Sequence, residues 1–165
     1  MPQEWIATLA EDIKQKNHEA AEDYGRAQHY AGVIDVQGAP FFNALVTRLQ
    51  QNITELRGAL QGDVTSADTN VQTVNPRQLK LTRSRFPWFD ATVILQDTAI
   101  VLAYAKGIGT PADPTLAPDR TTHTFALLVG PDDVLYAQDA FTDPPTQYRQ
   151  PEQLAQRITE ILFTV

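Results

Sequence analysis

The chain has 165 residues, 42% hydrophobic, 20% charged and 8% aromatic, a composition that suits one folded domain needing neither metal nor crosslink. Cysteine is absent, which excludes disulfides, thiolate nucleophiles, thiolate zinc sites and iron–sulfur clusters. The net charge of −7 repels phosphate backbones and anionic headgroups, so it argues against nucleic acid and membrane as partners.

Residues 3–31 carry helical periodicity. At 100° per residue, Trp5, Leu9, Ile13, Ala20, Tyr24, Ala27 and Ala31 fall within one arc, opposite Glu4, Glu11, His18, Glu22 and His29. Gly32 and the stretch to Gly38 read as a break, with Pro40 opening a second helix through Phe42, Leu45, Leu49, Ile53, Leu56 and Leu60 to a stop at Gly62. These two segments predict an antiparallel helical pair. Acidic side chains from Glu4 onward leave no apolar leader, and no apolar run approaches the roughly 20 residues of a membrane span, so a cytoplasmic protein is expected.

Residues 63–75 are polar and read as a connector. The period then falls to about 2, predicting strands at 78–85, 89–96, 99–106, 122–129 and 134–139 in a meandering antiparallel sheet. Three prolines between 107 and 121 mark a long loop, and Pro151 opens a last helix with Leu154, Ile158, Ile161 and Leu162 on its apolar face. The expected fold is one α+β domain over 1–165, with a helical part (1–62) and a sheet plus C-terminal helix (76–165). Strands 99–105 and 125–129 are apolar at nearly every position, which implies cover on both faces. Either the helices divide between the faces or a second copy covers one of them, so a homodimer is an expectation of the pattern.

Motifs for chemistry are sparse. Gly107-Ile108-Gly109-Thr110-Pro111-Ala112 matches a dinucleotide-type glycine pattern, but prolines follow where a phosphate-binding helix is needed, and no P-loop occurs, so no cofactor is expected. His18 and His29 share a face with Glu22, yet eleven residues of helix put the histidines about 16 Å apart, too far for one ion, so no metal is expected. Neither Ser66 nor Ser84 sits in a glycine-flanked nucleophile turn. Asp132 and Asp133 fit turn chemistry.

Two sets of residues remain. His123 points the same way as Phe125 and Leu127, at a core margin, and Asp139 or Asp143 could supply the carboxylate that a small hydrolase or isomerase would need. Arg77, Lys80, Arg83 and Arg85 interleave with Phe86, Trp88 and Phe89, the pattern of an anion- or nucleic-acid-binding strand. The lack of a catalytic set, together with unusually apolar strands, gives the leading expectation. It is a non-catalytic domain that binds a protein partner or itself, with segment 86–89 and the loop 107–121 as the recognition surface.

Overall fold

The computed structural model describes residues 3–59, 69–84, 88–107, 120–139 and 141–164. One helix, α1 (Glu4–Ala59), precedes seven strands: β1 (Thr69–Asn75), β2 (Gln78–Arg83), β3 (Trp88–Leu95), β4 (Ala99–Gly107), β5 (Thr121–Val129), β6 (Leu135–Asp139) and β7 (Thr146–Tyr148). A second helix, α2 (Pro151–Phe163), follows them. The α+β class holds, with each strand antiparallel to its neighbour in sequence and with seven strands rather than about five. β1 lies where a connector is expected, and β7 is a three-residue edge strand.

Alternation assigns the faces. In β3, Phe89, Ala91, Val93 and Leu95 are buried and the residues between them are half-buried. The register sets Leu79 opposite Val93, Val93 opposite Leu102 and Ile100 opposite Phe125. These side chains form one core with Phe41, Phe42, Leu45 and Leu49 of α1 and with Leu154, Ile158 and Leu162 of α2. Both helices therefore lie on the same sheet face. The opposite face carries half-buried Val101, Ala103 and Ala126 and exposed Leu128, and no helix among the described residues covers it.

The expected helical pair is a single helix of 56 residues. Ile34, Gly38, Phe41, Leu45 and Leu49 keep three- and four-residue steps across the supposed break, so the core-facing side never loses phase. Pro40 has no N–H for the Val36 carbonyl, a defect costing about 3 kcal/mol inside a helix. Burial of Phe41, Phe42 and Leu45, at roughly 1.5–3 kcal/mol each, offsets it. Two side chains fix the helix to the turn between β5 and β6. The Gln37 amide donates to the Asp133 carbonyl at 2.8 Å and accepts from the Leu135 N–H at 2.8 Å. His29 Nε2 lies 3.0 Å from Asp133 Oδ1, and Asp133 itself adopts φ 56°, a left-handed turn conformation that Asp tolerates.

α2 is anchored at both ends. Pro151 occupies its first turn, and Gln153 Oε1 reaches back to accept from the N–H groups of Arg149 and Gln150 at 3.0 and 3.1 Å. At the other end, Lys106 Nζ donates to the carbonyls of Ile161 and Thr164 at 2.6 and 2.7 Å. A cation there meets both the unsatisfied carbonyls and the negative pole of the helix.

Candidate functional site

The structure brings His123 and Asp139 together. Phe125 pairs directly with Asp139 across β5 and β6, so His123, two residues back on the same face, reaches it diagonally. His123 Nε2 lies 2.9 Å from Asp139 Oδ1, which also accepts from the Phe141 N–H at 2.9 Å. Arg157 Nε of α2 stands 3.7 Å from Asp139 Oδ2, too long for a hydrogen bond but close enough for charge pairing. Asp139 has no exposed surface. The imidazole stacks on Phe125 at 4.6 Å and meets Phe141 at 4.7 Å. Tyr148 packs beside this group, and burial first, then the Asp139 charge, push its phenol above the ordinary tyrosine value.

A general base has to reach a substrate proton at hydrogen-bond distance. Here the His123 ring stacks on Phe125 and is met at a tilt by Phe141, its Nε2 lies against Asp139, and Asp139 faces Arg157, so the arrangement ties β5, β6 and α2 together. Asp143 stands apart, exposed in a turn with a cis Asp143–Pro144 peptide.

The basic segment is dispersed. Arg77 Nε donates to the Leu95 carbonyl at 3.1 Å, and its Nη2 lies 3.6 Å from Asp97 at the β3–β4 turn. Arg83 is buried on the core face, donating to Thr69 Oγ1 at 2.8 Å with its guanidinium over the Phe163 ring. Lys80 is exposed on the opposite face. Trp88 is half-buried against Gly107, where a Cβ would come within 2.8 Å of the indole, which gives the first glycine of the Gly-rich pattern a packing reason. Arg85, and with it Phe86 and most of the loop expected over 107–121, lie outside the described residues.

Among the described residues, no three metal-ligating side chains gather at one point. His18 pairs with Glu22 at 3.1 Å, while His29 turns to Asp133. Nor is any described helix long and apolar enough to cross a membrane.

Among the described residues, the first half of α1 is a long stretch that no other element covers. Every residue from 3 to 32 is exposed, although this stretch carries Trp5, Ile6, Leu9, Ile13 and Tyr24. At 100° per residue this stripe is in phase with Phe41, Phe42, Leu45 and Leu49, so the face that packs the core runs on past the sheet with no described element on it. Where arm and sheet meet, a cavity of about 460 Å³ opens between Ala31, Gly32, Ile34 and Gly38 of the helix and Arg77 and Leu95 of the sheet. A Cβ at Gly32 or Gly38 would meet nothing within 4 Å. No protein-family model, curated protein or solved structure matches the chain.

The stripe is legible in the sequence, but its role is not. Read as one half of a helical pair, Trp5 through Ala31 would be consumed inside the fold. The signal that frees it is the unbroken phase through Ile34 and Gly38.

Proposed function

We propose that the protein is a non-catalytic interaction domain that self-associates, and that the N-terminal arm of α1 is its association surface. One observation carries this reading: an apolar stripe in phase with the core face lies wholly exposed over residues 3–32. Single exposed apolar residues are ordinary, but a contiguous row of them at helical spacing is the anchor pattern of a helix that docks against another surface. The sheet and α2 then act as the body that holds the arm by its root through Gln37 and His29.

The test is the mass of the full chain in solution by light scattering across a wide concentration range. The expected result is a dimer that Leu9→Glu combined with Ile13→Glu converts to the 18.3 kDa monomer with an unchanged thermal transition of the body. An unmodified chain that stays at the monomer mass at high micromolar concentration overturns self-association. A dimer that the arm variant leaves intact shifts the interface to the open sheet face around Val101 and Leu128, and overturns the assignment to the arm.

A further inference from the structure

Building on the arm as association surface, we infer that its occupant is the arm of a second copy, running antiparallel about a two-fold axis at Ala20, with Trp5 of each copy seated in the cavity at the root of the other. The phase of the stripe limits what can cover it. Anything lying on the stripe runs straight toward the sheet, which occupies the same helix face from Gly38 onward, and must end at the cavity. A parallel partner in register would drive two sheets into one space. An antiparallel partner keeps the bodies apart, because Trp5 to Asp35 spans about 45 Å at 1.5 Å per residue.

Side-chain size selects the same arrangement. The first half of the stripe is large, with Trp5, Ile6, Leu9 and Ile13, and the second half is smaller, with Ala20, Ala27 and Ala31 and one large residue, Tyr24. About a two-fold at Ala20, Leu9 meets Ala31 of the second copy, Ile13 meets Ala27, and Trp5 arrives at the level of Asp35, a lining residue of the cavity. The Leu9 and Ile13 layers each pair a large residue with an alanine, while Ala20 meets its own copy and Tyr24 comes level with Lys16. In a parallel pair Trp5, Leu9 and Ile13 would face their own copies, and the alanines would leave the other half unfilled. A surface that is complementary to itself only when reversed is what a closed two-fold interface requires.

Charge follows the same register. Beside the stripe, Asp12 comes within about 3 Å of the level of Arg26 of the second copy and Lys16 within about 1.5 Å of the level of Asp23, each pair occurring twice by symmetry. All four side chains are exposed and now pair only within their own helix, Lys16 with Asp12 at 3.2 Å and Arg26 with Asp23. Glu19 faces its own copy, a like-charge contact at the centre. A fixed register and a defined direction come from such a pattern more than raw affinity does.

The absence of native cysteine makes the test direct. Leu9→Cys and Ala31→Cys chains, purified separately and mixed under mild oxidation, are expected to form a mixed disulfide, while neither forms a disulfide dimer alone. In a Trp88→Phe chain, which leaves Trp5 as the sole tryptophan, emission is expected to shift to the blue as concentration rises. Trp5→Ala is expected to weaken association about thirtyfold, the scale of a buried aromatic anchor. Crosslinking of Leu9→Cys with itself overturns the antiparallel arrangement. So does a failure of the mixture to crosslink in a chain whose dimer is still abolished by Leu9→Glu with Ile13→Glu, and there the arm remains the association surface. A dimer indifferent to that double variant overturns both.

Discussion

Asp139 shows how much one residue can hold in this fold. Its carboxylate has no exposed surface and faces the His123 ring, the Phe141 N–H and Arg157, so it links two strands and α2 at one point. Sequence alternation puts His123 on the core side of its strand, but it carries no information on strand register. That register decides that Asp139, not Asp143, meets the histidine. Tyr148, packed at this cluster, gives a pH prediction. Burial and the Asp139 charge raise its phenol, so the folded chain holds the proton more tightly than the unfolded chain does. The resulting stability is complete below the unfolded value of about 10 and is lost as pH climbs through the folded value. Urea midpoints measured from pH 8 to about 11 are expected to fall more steeply for the unmodified chain than for Tyr148→Phe. Parallel curves would remove Tyr148 from the alkaline transition. At neutral pH the variant is expected to lose no more than about 1.5 kcal/mol, the worth of one hydroxyl hydrogen bond.

Among the elements, α1 is the one whose sequence misleads most. Gly32, Gly38 and Pro40 are the residues that ordinarily punctuate a helix, and they lie within nine positions of each other. Tertiary contacts override them: Phe41, Phe42 and Leu45 anchor one side, and the Gln37 amide closes two backbone groups of the β5–β6 turn on the other. Five strands were readable, some because their buried residues alternate, as in Phe89, Ala91, Val93 and Leu95, and β4 because it is a short apolar run bounded by turn residues. β1 was not, since Thr69–Asn75 is an edge strand whose mostly exposed, polar side chains leave no apolar alternation. Gln37 is therefore the residue to remove. Gln37→Ala deletes two hydrogen bonds, a loss of about 1–3 kcal/mol. The expected outcome is faster amide exchange at Leu135 and through residues 29–40, with the exchange of β2 to β4 unaltered. If the loss spread evenly over the sheet, Gln37 would be part of the general core and not a clamp at the root of the arm.

For the whole molecule, the division into body and arm sets what order costs. A helix is expensive to nucleate, and the body supplies the nucleus because residues 38–53 are already helical and packed. The arm then needs only propagation, which Gly25 and Gly32 each oppose by about 1 kcal/mol. Pairs along it, Lys16 with Asp12 at 3.2 Å and His18 with Glu22 at 3.1 Å, return only about 0.2–0.5 kcal/mol each. In the proposed dimer, burial of Trp5, Leu9 and Ile13 against a second arm is the larger favourable contribution, at roughly 1.5–3 kcal/mol for each side chain fully buried. In that proposed dimer, arm order is coupled to association, whereas the sheet is indifferent to it. No pattern in the sequence could assign both helices to one sheet face, and so the amount of apolar surface left over was also hidden. Hydrogen exchange at two concentrations on either side of the dissociation constant tests the coupling. Protection over residues 5–28 is expected to rise with concentration while β3, β4 and β5 stay constant. Equal protection of the arm at both concentrations would mean that it is ordered without a partner, and the energetic reason for it to seek one would be gone.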